Sequence, residues 1–382
     1  MAEVSRERRG GAWPGRVAFT LVVLVTCLWT FWGAGELYYE AWGLPLPEPL
    51  FYLVPAAACL LLSVLAAVRP FAGGIVILVV GGGFTLWWWT MMALRVGLDP
   101  RRALVHVPAS ALLVLVAVLF LLEGRRARRL LTGGDDAARA AYLRVRRRRL
   151  VLATTLPLLV FAGVSAAELP RVLSRVDDGR RDARRIACEG VDLTWAPAGP
   201  GWNLRREGGW YPSWDHLALY GKPPVGLDLA AKFPGAPADR LPHASAEEFA
   251  RWNLCRYLSG DGTRLEGEPV DAWRMPTADE VVRSLVHHGE CAGCTWDGRL
   301  PGRASCEEDP GKETPLWAPD QPPIYLWTGD EAPALPGEDV PSRAVYVSYR
   351  GRVDARPKDW GNSRHGYRCV REVPPGAPGP GH

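Results

Sequence analysis

The sequence predicts a chain of two parts: an N-terminal α-helical membrane bundle of five transmembrane helices, and a loop-rich α+β domain after it. Five apolar runs lie in the first half of the 382 residues. Each is about twenty residues long, the length that a helix needs to cross the hydrocarbon core of a bilayer. After residue 169 no such run occurs, Pro and Gly become frequent, and charges of both signs mix. The fold class therefore changes within the chain.

The five apolar runs indicate membrane helices rather than helices of a soluble core. A buried core helix would explain one run, but not five runs with arginine-rich flanks. The first run could belong to a signal peptide, but no small-residue cleavage site follows it and further runs do, so we expect a retained anchor. The runs cover residues 17–35, 50–68, 71–94, 103–122 and 150–167.

Arginines predict the orientation of these helices. They are concentrated before the first run and between the fourth and the fifth, whereas Arg95, Arg101 and Arg102 fall on the opposite side. The positive-inside rule places both concentrations in the cytoplasm and everything after the fifth run outside it. We expect an integral protein of the inner or plasma membrane, with a periplasmic or cell-surface domain. Basic segments beside a membrane contact anionic lipid, so we expect membrane lipid and not nucleic acid as a partner.

The apolar runs offer no pathway for transport. His106 is the only acidic or basic side chain within them, and it lies near a helix end. Pumps and ion carriers normally place such groups in mid-membrane. We therefore expect the bundle to anchor the chain or to dock a protein partner.

Composition sets the expected domain bounds. Near two hundred residues after the stalk are enough for one domain with a substantial core. We expect a cytoplasmic N-terminus (1–16), four transmembrane helices (17–122), a basic cytoplasmic segment (123–149) and a fifth transmembrane helix (150–168). A stalk (169–187), an extracytoplasmic domain (188–373) and a disordered Pro/Gly-rich tail (374–382) follow.

The cysteines separate into two groups. Cys27 and Cys59 lie in apolar runs, where we expect packing residues. The even number in the second part is typical of disulfides in an oxidising compartment, and six cysteines allow fifteen pairings among which the sequence cannot choose. The six are Cys188, Cys255, Cys291, Cys294, Cys306 and Cys369.

Local patterns predict few regular elements in the second part. Ser245 begins a helix over residues 246–258, and the alternation over residues 344–349 is that of a strand. Residues 273–285 read as an extended segment that turns into a helix. Pro276 forbids helix before it, and Thr277 and Glu280 have the spacing of a capping box. A closing strand is expected over residues 367–371.

The same segment resembles the formylglycine-generating enzyme, or sulfatase-modifying factor, family. That family has an Arg-Leu-Pro-Thr-Glu-Ala-Glu-Trp-Glu motif, and residues 274–280 read Arg-Met-Pro-Thr-Ala-Asp-Glu. Four further stretches are similar to family motifs and follow in the same order: the helix with Cys255, a Trp-Asp-Gly turn at Trp296, the segment with Trp327, and Gly-Tyr-Arg at the end, which contains Gly366 and Arg368.

The resemblance covers residues 245–371 and implies the C-type-lectin-like fold of that family. It implies structural roles for Arg274, Pro276, Thr277, Glu280, Trp327, Gly366 and Arg368. It also favours a clasp between Cys188 and Cys369, which bracket the domain. A pairing within Cys291, Cys294 and Cys306 is the second expectation.

The family's catalytic groups are missing from the matching positions. Its oxygen-dependent enzymes bind copper through two cysteines, because a cuprous ion prefers soft ligands. The corresponding stretch here, residues 342–352, contains no cysteine, and Pro323 stands at or near an Asn that the family associates with calcium. The resemblance therefore implies a non-catalytic binding or interaction module, with calcium or a transition metal as the only cofactors left open.

The sequence also allows three other interpretations. An enzyme with a rearranged metal site could use His287, His288, Cys291 and Cys294 beside Glu290, although disulfides are the commoner use of such cysteines outside the cytoplasm. A structural subunit of a membrane complex is the second. The third is a Ser/His/Asp hydrolase built on His216, His243 and His365, but no Gly-x-Ser-x-Gly elbow supports it. Trp202, Trp210 and Trp214 line a groove or pack in the core.

If residues 273–285 organise the domain, replacing Pro276 should unfold it. We expect Pro276→Ala, like removal of Arg274, to abolish the cooperative unfolding transition of the full chain in detergent. A folded Pro276→Ala protein with wild-type stability would show that the motif has been misplaced.

Overall fold

The computed structural model describes residues 13–96, 100–133, 135–197, 213–222, 243–336, 338, 340–361 and 364–373, without the side chains of residues 92–111. Trp202, Trp210, the first twelve residues and the expected tail lie outside the described residues. Contacts divide the chain into two compact units, Met1–Leu169 and Pro170–His382.

The first unit is helical. Three stretches in its described part are long and apolar enough to cross a membrane: Trp13–Ala41, Pro70–Met91 and Asp136–Leu173. Its helices, with a π-helical turn at Leu37–Ala41 after the first, are α1 Trp13–Glu36, α2 Glu48–Phe51, α3 Val54–Val68, α4 Pro70–Val96, α5 Pro100–Thr132 and α6 Asp136–Leu173. The second apolar run forms α3, whose 15 residues reach only about 22 Å, less than the hydrocarbon core. The fourth run lies in α5.

Small and polar residues bring these helices together. The hydroxyl groups of Thr26 in α1 and Ser63 in α3 are hydrogen-bonded at 2.7 Å. At the end of the fourth run the carboxylate of Glu123 accepts a hydrogen bond of 2.9 Å from Arg149, and both side chains are buried. Gly15 leaves room for this pair, because a Cβ there would lie 2.2 Å from the Glu123 carboxyl carbon.

The second unit is an α+β domain with three sheets in its described part. β1-β2-β10 and β3-β4 are antiparallel, and in β5-β8-β7-β6-β9 only the pair β6 and β9 is parallel. Its elements are β1 Arg184–Cys188, β2 Val191–Trp195, α7 Trp214–Ala218, α8 Ala246–Trp252, a 3₁₀ helix at Leu254–Tyr257, α9 Ala278–Arg283, β3 Val286–His287, β4 Glu290–Cys291, β5 Gly302–Arg303, β6 Tyr325–Pro333, β7 Ser342–Ser348, β8 Arg352–Arg356, β9 His365–Gly366 and β10 Val370–Glu372.

Capping residues set where the helices begin. The predicted box at α9 is present: the Thr277 hydroxyl accepts the Glu280 N–H, and the Glu280 carboxylate accepts the Thr277 N–H. Ser245 begins α8 in the same way. That helix ends at Trp252 rather than continuing to residue 258, because Asn253 is extended, with ψ of 148°.

The expected clasp between Cys188 and Cys369 is wrong. Cys188 is bonded to Cys291, and Cys369 to Cys255. The reason is the sheet order: β10 and β1 both pair with β2, one on each side, so the two ends of the domain are not direct neighbours. Cys294 and Cys306 form the third disulfide, within the group that was the second expectation. Cys27 and Cys59 are free.

A buried guanidinium joins three segments of the domain. Arg368 donates from Nε and Nη2 to the carbonyl of Ala196 at 2.9 and 2.6 Å, and from Nη1 to the carbonyls of Pro315, at 2.8 Å, and Leu316. Burial lowers the pKa of Arg368 to about 9, with smaller contributions from Arg184 and Arg181.

Arg368→Met should strongly destabilise the domain, because it leaves three buried carbonyl oxygens without their donor. We expect the free energy of unfolding to fall by about 3 kcal/mol or more. Tryptophan fluorescence of the full chain in detergent, followed through denaturant unfolding, measures it. The exposed Arg264, which pairs with Glu266 on the surface, supplies the control: Arg264→Met should change stability by about 0.5 kcal/mol or less. Equal effects of the two variants would contradict the role of Arg368.

Candidate functional site

The motif residues connect the elements of the domain. Arg274 forms two ion-pair contacts with Glu280, at 2.6 and 2.8 Å, and a third with Glu372 of β10. The backbone N–H of Arg274 donates to the Val370 carbonyl at 2.9 Å, and the Arg274 carbonyl accepts the Val370 N–H at 2.8 Å. The Pro276 carbonyl accepts the N–H of Gly329, which lies in the irregular stretch of β6.

Three further motif residues are buried. Trp327 in β6 is fully buried, and Gly366 is buried in β9, the strand that pairs with β6 in the same sheet. Trp327 packs against the ring of His365, with centroids 4.7 Å apart. Together with Arg368, these residues contribute to the interior.

The four residues expected to hold a metal do not form a set of four metal ligands. Cys291 and Cys294 belong to different disulfides, so neither has a thiolate. The rings of His287 and His288 lie 4.0 Å apart, tilted by 52°, and His287 Nδ1 is hydrogen-bonded to the Asp309 carbonyl at 2.7 Å. Among the described residues no three His, Cys, Asp or Glu side chains are grouped so as to hold a metal ion.

The histidines considered for a hydrolase lie in different surroundings. His243 Nδ1 is 3.1 Å from the buried carboxylate of Asp215, whose pKa is raised to about 6 by burial. His216 Nδ1 is 2.7 Å from the hydroxyl of Ser213, which caps α7. His365 lies among aromatic rings, and burial lowers its pKa to about 3.

Trp214 packs in the core, one of the two alternatives given for it. It is fully buried, stacks on Phe249 at 4.7 Å and donates from Nε1 to the Thr328 carbonyl.

The second unit contains an open cavity of about 460 Å³, the size range of small-molecule sites. We call it the arginine-lined cavity. Its charged side chains balance, with four arginines against four carboxylates. Its lining residues are Arg171, Ser174, Arg175, His287, Arg303, Cys306, Glu307, Glu308, Asp309, Pro310, Gly311, Glu313, Tyr349 and Arg350.

One aromatic ring anchors the cationic side of this cavity. Tyr349 is buried, and its ring centroid lies 5.2 Å from the Arg175 guanidinium carbon and 5.7 Å from that of Arg350. Arg175 also donates to the Tyr349 hydroxyl at 3.2 Å. Burial lowers the pKa of Arg175. On the rim, Arg171 and Asp309 form an ion pair at 2.7 Å.

A buried lysine lies next to the cavity wall. Lys312 is 1 % exposed and donates from Nζ to the carbonyls of Pro319 and Gln321. Its pKa is lowered to about 7, first by burial and then by the positive charges of Arg175 and Arg364.

The sequence did not point to this cavity. Its residues come from the end of α6, the irregular segment after β5 and the turn after β7, and no periodic pattern or known motif connects them. Arg175 and Tyr349, which are hydrogen-bonded, lie 174 positions apart in the sequence.

The lysine should make stability depend on pH in a defined direction. Because the folded pKa of Lys312 is below its ordinary value, unfolding takes up a proton between about pH 7 and pH 10.5. The free energy of unfolding should therefore rise with pH across this window, by up to about 1.4 kcal/mol per unit. Denaturant titrations of the full chain at pH 7, 8 and 9 measure the slope.

Two substitutions separate this lysine from other groups. Lys312→Met should remove the rise, whereas Lys222→Met, at a half-exposed lysine paired with Glu248, should keep it. A wild-type slope in the Lys312→Met protein would show that another group is responsible.

Comparison of the chain with protein-family models, with curated protein sequences and with solved structures finds no match in any of the three. The resemblance of residues 245–371 to the formylglycine-generating enzyme family therefore rests on the quoted motifs.

Proposed function

We propose that the chain is an integral membrane protein that displays its second unit outside the cytoplasm as a non-catalytic binding module. In this proposal the segments of all five apolar runs cross the membrane, the second run as α2 and α3 together, with residues 1–16 and 123–149 in the cytoplasm. The displayed domain is a divergent relative of the sulfatase-modifying-factor type with a C-type-lectin-like fold. The arginine-lined cavity is its ligand site.

The disulfides are the observation that carries the proposal. All six cysteines of the second unit are paired, whereas Cys27 and Cys59 in the first unit are free. Structural disulfides form and persist outside the reducing cytoplasm. They also leave no thiolate in the domain, which removes the soft ligands that copper chemistry of the family's type requires.

The cavity supports binding over catalysis. Arg175 is held against the Tyr349 ring and hydroxyl. Such a fixed guanidinium is suited to recognising an anionic group, since its planar donors are pre-organised. Membrane lipid and a docked protein remain proposed partners of the helical unit.

Cysteine labelling in intact cells tests the orientation. In a background without the free thiols, Cys27→Ala/Cys59→Ala, we place one new cysteine at Leu335→Cys in an exposed loop of the second unit, or at Arg139→Cys in α6. A membrane-impermeant maleimide should label the first in intact cells and the second only after permeabilisation. The reverse pattern would overturn the proposal.

The background protein supplies the control for the redox compartment. Denatured without reductant, it should take up no alkyl group, because its remaining cysteines form three disulfides. After reduction it should take up six. Alkylation before reduction, measured by intact mass, would place the domain in a reducing compartment and contradict its display outside the cytoplasm.

A further inference from the structure

The arginine-lined cavity contains a guanidinium that forms no direct ion pair with a described carboxylate. Arg175 donates to the Tyr349 hydroxyl, and no carboxylate among the described residues lies within ion-pair distance of it. The same holds for Arg303 across the described part of the chain. Burial lowers the pKa of Arg175, and the charge of Glu313 offsets this only in small part, so an anion in direct contact with the guanidinium would stabilise it.

The cavity also contains a carboxylate in the same situation. Glu313 is 2 % exposed, and its Oε2 has no hydrogen-bond partner among the described residues. No described cation forms an ion pair with it. A buried carboxylate oxygen without a donor costs free energy, and a ligand that brings an N–H donor would satisfy it.

Arg175 and Glu313 would each be stabilised by a ligand group of the opposite charge. The lining carries four arginines and four carboxylates, so it has no excess charge to attract a simple anion. A molecule that joins a negative group to a positive group satisfies both Arg175 and Glu313. Guanidinium binds phosphate through two parallel hydrogen bonds, and an ammonium group supplies three donors.

We propose that the arginine-lined cavity binds an aminoalkyl phosphate of the phosphoethanolamine type, with the phosphate on Arg175 and the primary ammonium on Glu313. This inference rests on the proposed function, because it names the ligand of the same binding module. Recognition depends on the N–H donors of the amine. Phosphocholine has the same charges but no N–H, so it leaves Glu313 Oε2 unsatisfied.

The same chemistry has two sources, a phosphatidylethanolamine headgroup and a soluble phosphoethanolamine compound. Arg171, on the rim of the cavity, belongs to the last turn of α6. Arg171 directly follows Pro170, where the second unit starts, and in the proposed topology the last apolar run precedes it in the sequence. The experiment separates the two sources by presenting each one.

Calorimetric titration of the full chain in detergent tests the proposal. The probes are O-phosphoethanolamine, phosphocholine and glycerol 3-phosphate. We expect phosphoethanolamine to bind with a Kd of about 1 mM or tighter and the other two at least tenfold more weakly. In the lipid arm, nanodiscs with phosphatidylethanolamine are compared with nanodiscs of phosphatidylcholine and phosphatidylglycerol. If phosphoethanolamine binds the protein in phosphatidylcholine and phosphatidylglycerol nanodiscs but not in nanodiscs with phosphatidylethanolamine, the lipid headgroup occupies the cavity and is the ligand. If it binds equally in both, the ligand is a soluble compound.

Substitutions of Arg175 and Glu313 test the role proposed for each side chain in ligand binding. Arg175→Gln should weaken phosphoethanolamine binding at least tenfold, and Arg175→Lys should recover part of it if the first variant folds poorly. Glu313→Gln, close in shape, should erase the preference over phosphocholine while weak phosphate binding remains. Arg264→Gln, a surface arginine outside the cavity, is the matched control and should bind like the wild type.

Three results would overturn the proposal: no binding of phosphoethanolamine from solution or from nanodiscs, equal binding of phosphocholine, or binding that neither Arg175→Gln nor Glu313→Gln alters. Each of them leaves the labelling pattern in intact cells unchanged. The ligand can therefore be wrong while the displayed binding module stands, and a cytoplasmic domain would refute the module whatever the cavity binds.

Discussion

The domain depends on the buried positive charge of Arg368, which has no negatively charged partner within ion-pair distance among the described residues. Arg368 is surrounded by the carbonyl oxygens of Ala196, Pro315 and Leu316. Burial and, to a smaller extent, the nearby positive charges of Arg184 and Arg181 lower the pKa of Arg368 to about 9. In return, one side chain joins the loop before β6 to the sheet edge where β2 ends and β10 begins. The adjacent Cys369 is bonded to Cys255, which adds a further segment.

The cavity follows from this arrangement. The carbonyls of Pro315 and Leu316 that Arg368 binds come directly after the segment with Lys312 and Glu313, and Lys312 binds the carbonyls of Pro319 and Gln321. The loop is thus fixed at both ends by cations that bond to backbone. A carboxylate between two such points has little freedom to turn toward water. The Glu313 side chain packs against Gly311, where a Cβ would lie 2.2 Å from its Oε1, and its Oε2 has no hydrogen-bond partner among the described residues.

Local chemistry was predictable from the sequence, and long-range pairing was not. The capping boxes at Ser245 and Thr277 involve residues three positions apart, so a short segment determines them. The partner of Cys188 depends instead on the order of strands in a sheet whose members lie at both ends of the domain. Membrane helices were predictable because length and apolarity suffice, and three of the five expected stretches meet that standard among the described residues. The α+β character was predicted correctly, whereas the C-type-lectin-like fold stays a prediction.

The candidate site was the least predictable part. The expected metal site needed Cys291 and Cys294 as thiolates, but Cys291 is bonded to Cys188, 103 positions away, and Cys294 to Cys306, 12 positions away. The residues that matter in the cavity, Arg175, Glu313 and Tyr349, carry no motif and lie in irregular segments. Their significance comes from burial and from the absence of described ion-pair partners for two of them, and neither property can be read from a linear pattern.

The order of the cysteines along the chain has a consequence for biogenesis. The bond between Cys188 and Cys291 interlaces with the bond between Cys255 and Cys369, since each encloses one end of the other. In the proposed orientation, translocation delivers Cys188 first and Cys255 next, before either native partner has crossed. Oxidation in order of arrival would join those two and block both native bonds. Maturation of this domain therefore calls for a thiol–disulfide isomerase, or for oxidation delayed until the last strand has been translocated.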